Sequence, residues 1–387
     1  MYEITKKERE HFMKKLKLFR KIKSILSILL ISLLIIPLCS GIGIHAKEKN
    51  TESNEYKIYP IPHSVVYDNE QFVMSDRVHV VFEEGIDKAT QNFLEEVITD
   101  YGKTVVHSEE IVNGETTILL GIKGSNGKAD SYINKNTTIK TSDLFNRTDS
   151  YILSAKENII SIVGKDTDST FFGIATLQMM LTSYEDPALR SVQIEDFSDI
   201  QYRGFIEGFY GGWDYKSRES LMRFARDVKM NHYIYASKTD PYHTSKWGEL
   251  YPQSEIDQIQ KLVKVGEETK CYYTWSVHIS GFFTNLDTSN ETAYNERYQK
   301  LLAKFRQLYD AGVRKFDILN DDFGQGTHED VVNLLNKLTK EFIIPNNCKP
   351  ITYCMQGYNK AWSKEAELSA LKKLDKSIIL YWTGDDV

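Results

Sequence analysis

The stretch KFDILNDDFG, Lys315 to Gly324, decides how this chain is read. Phe316 through Asn320 have the mixed apolar character of a short strand, and the strand runs straight into two adjacent carboxylates, Asp321 and Asp322. Neighbouring side chains on a strand point to opposite faces, so both acids can serve one pocket only if the strand gives way to a loop there. Gly324 and Gly326 supply such a loop. Two carboxyl groups this close interact, and their pKa values separate so that one stays protonated while the other is ionised. General acid catalysis beside a charged stabiliser needs that division. The same residues also describe a turn with solvated carboxylates, since Asp and Gly are ordinary turn residues.

The surroundings bear on the choice. Strand candidates fall at Tyr202 to Ile206, His232 to Ala236, Cys271 to Val277, Lys315 to Asn320, Ile351 to Cys354 and Ile378 to Trp382, with helical patterns between them. Ser220, Leu221, Phe224, Ala225 and Val228 mark one such helix; Ile256, Ile259, Leu262 and Val263 mark another. This alternation predicts parallel βα units. Polar residues and glycines follow each strand: Glu207 and Gly208, Lys238 to Asp240, His278, Asp321 and Asp322, Tyr358, then Thr383 and Gly384. Functional residues at the carboxyl ends of successive strands predict an α/β fold of the (β/α)8-barrel type. A doubly wound sheet would carry a glycine-rich phosphate loop after its first strand, and EGFYGG is not GxGxxG. Six of the eight units are visible, and residues 198–387 are short for a barrel of about 250 residues. An unclosed barrel exposes two strand edges, so the expectation is a partial barrel cut from a longer protein.

Upstream, residues 56–197 read as a small α+β domain. Val78 to Phe82, Thr117 to Ile122, Tyr151 to Ser154 and Ile159 to Val163 are its strands, the last two joined as a hairpin around Lys156 to Asn158. Ile86, Ala89, Phe93 and Val97 recur at helical spacing and stop near Gly102; Phe171, Ile174, Gln178 and Leu181 mark a second helix capped by Asp168 or Ser169. Helices on one face of the sheet are expected, with a supporting role for the domain. Residues 1–46 begin basic and continue as a Leu- and Ile-rich run from Ser24 to Ala46. They read as an export signal or an uncleaved membrane anchor, followed by a polar linker at 47–55, with a lipidated Cys39 as a third option. The chain is therefore expected to be secreted or held at the cell surface, with membrane contact only through that segment.

Charge is modestly acidic, formally −6, and mixed in sign, so no nucleic-acid surface is indicated. Beyond Cys39, three scattered cysteines, Cys271, Cys348 and Cys354, make neither a disulfide framework nor a metal-ligand pattern. His328 with Glu329 and Asp330 matches no zinc spacing. The high aromatic content suits sugar binding and large cores alike.

RGFIEGFYGGWDY (Arg203 to Tyr215), YASKTDPYH (Tyr235 to His243), Asn320 to Asp322 and WTG (Trp382 to Gly384) together resemble glycoside hydrolase family 84. That family holds exported bacterial β-N-acetylglucosaminidases, some described as hyaluronidases, and the animal enzymes that remove O-linked N-acetylglucosamine from proteins. YPIPHSVVY and STFFGIATLQ resemble the α+β domain that precedes the barrel there and in family 20 hexosaminidases. The resemblance implies a retaining, substrate-assisted hydrolase acting on N-acetylglucosamine-containing glycans or glycoproteins, with no cofactor and no metal. In it the substrate's acetamido oxygen attacks the anomeric carbon and forms an oxazoline, in place of an enzyme nucleophile. Asp321 then matches the acid that orients the acetamido N–H, and Asp322 the general acid and base. Gly208 matches a glycine whose backbone lies beside the sugar hydroxyls, and Lys238 a lysine that bonds one of them. Tyr358 matches a tyrosine beside the anomeric centre, although its lead-in here is CMQGYN rather than Pro-Thr-Glu-Tyr. Thr383 reaches the pocket or belongs to a barrel layer; Asp240 and His243 are rim contacts or, for Asp240, a turn. Phe209, Trp275 and Trp382 are expected in core or pocket wall. The family's Trp-x-Asn stretch and a further sugar-holding aspartate have no counterpart. The alternatives are a carbohydrate-binding or inactive module, and a metal-dependent hydrolase with Asp321 and Asp322 as ligands.

Overall fold

The protein is described from a computed structural model that covers residues 55–182, 187–322 and 324–382. The signal or anchor segment and Thr383 lie outside the described residues.

The first sheet has seven strands: β1 (Ser64–Val73), β2 (Arg77–Phe82), β3 (Thr104–His107), β4 (Thr116–Ile122), β5 (Thr148–Lys156), β6 (Ile159–Gly164) and β7 (Ala188–Ser198). Their order is β1-β7-β5-β6-β4-β2-β3, antiparallel from β1 to β6 and parallel from there to β3. The β5–β6 hairpin turns at Glu157 and Asn158, both with positive φ. Side-chain alternation divides the core into two layers. Val78, Val80, Ile118, Leu120, Leu153 and Ile162 pack under the helices Lys88–Asp100 and Thr167–Thr182. Val81, Leu119, Ile152 and Val163 face the opposite way and pack against the helix Lys128–Asn136. The expectation of helices on one face is thereby corrected: KADSYINKN buries only a narrow strip, Ala129, Asp130 and Ile133, too little apolar periodicity to announce a helix. The cap of the helix at Thr167 is also corrected. Asp166, rather than Asp168 or Ser169, accepts from the Ser169 N–H at 2.8 Å and its hydroxyl at 2.7 Å.

The second sheet holds β8 (Gly204–Glu207), β9 (His232–Tyr235), β10 (Tyr272–His278), β11 (Lys315–Leu319), β12 (Thr352–Cys354) and β13 (Ile379–Tyr381). All six are parallel and lie in sequence order, with helices between them, as six of the eight units of a (β/α)8 barrel. Tyr273, Trp275, Val277, Phe316, Ile318 and Tyr353 point outward into one core with the surrounding helices. Ile234, Ala236, Leu319, Cys354 and Tyr381 share the inner face. At Gly204 a Cβ would stand 1.7 Å from the His232 carbonyl oxygen, so only glycine allows β8 to close on β9.

The sheet domain docks against residues at or just before the amino ends of β8, β9 and β10. Arg203 reaches Asp149 at 2.7 Å; buried Lys229 meets Asp196 at 3.0 Å and the Tyr151 hydroxyl at 2.9 Å. Lys270 meets Asp87 and, at 2.8 Å, Asp168, which also accepts from the Tyr272 hydroxyl. Cations on the barrel thus face acids on the domain. A barrel supported at its amino end leaves the carboxyl end for chemistry.

Candidate active site

Period-two geometry stacks Lys315, Asp317 and Leu319 along the inner face of β11, and Asp321 follows on the same face. β11 ends at Leu319, and Asp322 adopts a left-handed φ of 44°. That kink brings the second carboxylate round to the same side as the first, so the adjacent acids share one cavity. The cavity, about 800 Å³, opens over the strand ends and is lined by Gly208, Lys238, His278, Asp321, Asp322 and Trp382 among others. Among the expected site residues, Gly208, Lys238, Asp321 and Asp322 therefore meet in one place. Tyr358 stands beside them, its hydroxyl donating to Asp322 Oδ1 at 3.3 Å.

The two acids have different surroundings. Asp321 is half-buried, and burial pushes its pKa up, yet the His278 hydrogen bond and the Lys238 charge outweigh this and leave it below the ordinary aspartate value. Asp321 is thus held as a carboxylate. Ser280 donates its backbone N–H to His278 Nδ1 at 3.3 Å, and its hydroxyl lies 2.7 Å from the same nitrogen. The imidazole proton accordingly sits on Nε2, which donates to the Asp321 carbonyl at 3.1 Å and lies 3.5 Å from its Oδ1. That Oδ1 is buried and has no closer hydrogen-bond partner among the described residues, which leaves it able to accept from a ligand. Asp322 is exposed. Lys238 lines the cavity without an ion-pair or hydrogen-bond partner among the described residues, its amine available to a ligand.

Gly208 is informative because no contact among the described residues requires it. Its φ is not positive, and a Cβ there would meet only Ile206, at 3.8 Å. The preceding residue is fixed: Glu207 is fully buried and receives two 2.8 Å bonds from Arg218 and one of 2.6 Å from the Tyr233 hydroxyl. Burial raises the Glu207 pKa, but the Arg218 and Tyr233 bonds more than reverse this. Glu207 holds the β8 end in place rather than entering the cavity.

Several expectations change with these contacts. Asp240 is a structural turn, accepting from Tyr235 and Tyr251 hydroxyls at 3.1 and 2.6 Å and from the Tyr242 N–H. His243 is fully buried, so it is no rim contact; Nδ1 donates to the Ser276 carbonyl at 2.9 Å, and burial lowers its pKa to about 4. His328 opens a helix capped by Thr327, with Glu329 and Asp330 in the first turn. Trp275 is core and Trp382 lines the cavity, while Phe209 packs edge-on against Trp213. Cys271, Cys348 and Cys354 are free thiols, and burial with the Asp321 charge keeps that of Cys354 protonated.

Two groups escaped the sequence reading. His278 was visible only as a polar residue after a strand, without its partner. Asp317 lies fully buried beneath the acid pair, accepts from Thr352 Oγ1 at 2.7 Å, and has its pKa pushed up to about 7 by burial. The alternation Asp317, Leu319, Asp321 was the available signal.

The family model for β-N-acetylglucosaminidase matches residues 203–387, and that for glycosyl hydrolase family 20, domain 2, matches residues 55–197. Protein O-GlcNAcase of Rattus norvegicus is 26% identical over 201 residues, 48% of this chain and 21% of that protein. The Mus musculus protein of the same name is 29% identical over 120 residues, 31% of this chain and 12% of its own length. Among solved structures, "Structure of CpGH84D" is 38% identical with a TM-score of 0.79, covering 86% of this chain and 56% of that one. "Structure of CpGH84B" is 28% identical with a TM-score of 0.73, covering 86% and 57%. The chain spans a little over half of those structures and about a fifth or less of the O-GlcNAcases. A sheet domain matched by the family 20 model, ahead of a parallel barrel matched by the β-N-acetylglucosaminidase model, makes the chain similar to glycoside hydrolases of hexosaminidase type. Within that class, the chain is similar to the two family 84 structures named above, CpGH84D and CpGH84B.

Proposed function

We propose that this chain is a retaining β-N-acetylglucosaminidase that cleaves terminal N-acetylglucosamine by substrate assistance, outside the cytoplasm. The observation that carries the reading is the asymmetric acid pair: Asp321 held ionised, its buried Oδ1 with no partner among the described residues closer than His278 Nε2 at 3.5 Å, and Asp322 exposed on the same cavity. The acetamido oxygen attacks C1 while the bond from C1 to the leaving oxygen breaks, and Asp322 gives its proton to that oxygen. The oxazolinium N–H donates to Asp321 Oδ1, whose charge offsets the positive charge forming there. Asp322, now a carboxylate, takes a proton from water; the water oxygen adds to C1 and opens the ring with the β configuration retained. Lys238 binds a sugar hydroxyl, and Tyr358 donates to Asp322 from beside the anomeric centre. The basic and apolar residues before Lys47 support export, which N-terminal sequencing of the mature chain tests.

Release of an aryl alcohol from its N-acetyl-β-glucosaminide, inhibited competitively by an oxazoline-mimicking thiazoline, is the expected result; a first-formed α anomer by NMR would sink the mechanism. Gly208→Ala tests the sugar contact. Because only Ile206 is near, the melting temperature is expected to stay unchanged. KM is expected to rise about tenfold or more, as an added methyl presses on the sugar; equal KM values would remove Gly208 from the site. His278→Ala withdraws a bond that favours the Asp321 carboxylate, so the Asp321 pKa rises. Activity fails as pH falls through that pKa, and the acid limb of kcat/KM is therefore expected to move to higher pH. A limb that stays in place would deny His278 this positioning role.

A further inference from the structure

Asp322 borders two spaces. One is the cavity over the strand ends; the other is a separate depression of about 510 Å³ that it forms with Gln356, Trp362, Ser363, Lys364 and neighbouring backbone. The second space has a fixed wall. Buried Glu367 accepts from the Gln356 and Gly357 N–H groups at 3.0 and 2.9 Å, and the Trp362 and Ser363 N–H groups return to the Asn359 carbonyl at 3.2 and 2.9 Å. On that wall Trp362 is 54% exposed, a large apolar ring left in water. The Tyr358 ring packs edge-on against it with centroids 5.0 Å apart, and the Tyr358 hydroxyl ties the pair to Asp322. An exposed aromatic ring thus stands beside Asp322, the acid proposed above to protonate the leaving oxygen.

A general acid protonates the oxygen that joins the cleaved sugar to its leaving group, so whatever lies beyond that oxygen extends past the acid. Here the space past Asp322 is this depression. A pyranose ring has an apolar C–H face and a rim of hydroxyls, which fits an aromatic plane surrounded by Gln356, Ser363 and Lys364. We propose that the depression is a leaving-group subsite that takes a second sugar ring stacked on Trp362. This rests on the glycosidase reading above and extends it to the substrate class: a glycan whose terminal N-acetylglucosamine is linked to another sugar.

Binding and turnover separate the two ideas. In calorimetry on the Asp322→Asn chain, the β-1,4-linked disaccharide of N-acetylglucosamine is expected to bind about tenfold more tightly than methyl N-acetyl-β-glucosaminide. Trp362→Ala in that background removes the difference, and Trp362→Phe keeps most of it. In the otherwise wild-type chain, Trp362→Ala lowers kcat/KM for the disaccharide and leaves that for N-acetyl-β-glucosaminyl fluoride, which has almost no leaving group to bind, unchanged. Unchanged melting temperatures show that the variants remain folded. Equal affinity for disaccharide and methyl glycoside would overturn the subsite whatever the turnover. Fluoride left uncleaved by the wild type would overturn the glycosidase reading alone. A serine-linked glycopeptide that binds more tightly than the disaccharide and depends on Trp362 would overturn the assignment to sugar.

Discussion

Asp322→Asn is expected to lower kcat by about 10²- to 10⁴-fold on substrates whose leaving alcohol needs a proton, the range that general acid catalysis contributes. The amide keeps the shape and the Tyr358 contact at Oδ1 but has no acidic proton to give. The loss should be steep for a methyl or sugar leaving group and shallow for a dinitrophenyl one, which departs without protonation. Asp321→Asn should behave differently. It removes the charge that opposes the oxazolinium, so turnover falls for every leaving group, activated or not. Rates measured across leaving groups of graded pKa make the comparison. Equal losses for Asp322→Asn across the series would show that Asp322 is not the proton donor.

The second large effect is on folding. Glu207→Gln breaks a fully buried, two-bond pair with Arg218 and strands the guanidinium, at an expected cost of about 3–5 kcal/mol. Because folding depresses the Glu207 pKa, its contribution is present above the unfolded pKa and is lost as pH falls through the folded one. The gap between wild type and variant in urea melts is therefore full at neutral pH and narrows in acid, below the ordinary glutamate range. A pH-independent gap, or one under about 1 kcal/mol, would contradict this account of the buried pair. Since Glu207 immediately precedes Gly208, the variant should also weaken sugar binding.

The barrel was legible because its strands are parallel and packed on their outer face by helices, which makes short apolar runs with helical patterns between them. All six strand candidates correspond to strands, with ends differing by a residue or two. In the sheet domain β2, β4, β5 and β6 were equally visible. β1 was not, because SVVYDNEQFV is mostly exposed and its pairing with β7 shifts register between Tyr67 and Gln71. β3 is a four-residue edge strand. For the site, position after a strand was enough to bring Asp321, Asp322, Lys238 and Gly208 together. It could not tell which polar residues are used up by the protein. Asp240, His243 and Glu207 also follow strands, yet all three are occupied by neighbours distant in sequence, such as Tyr251, Ser276 and Arg218. Nor could it give Asp321 its His278 partner, forty-three residues away in the chain.

In the proposed reaction the substrate's own acetamido group attacks C1 while Asp321 and Asp322 attend it. Turnover of aryl glucosaminides whose N-acetyl group carries zero, one, two or three fluorines decides whether it does. Each fluorine weakens the acetamido oxygen as a nucleophile, so kcat/KM is expected to fall steeply and in order along the series. A flat series, or no turnover of the unfluorinated substrate by the folded chain, would contradict it.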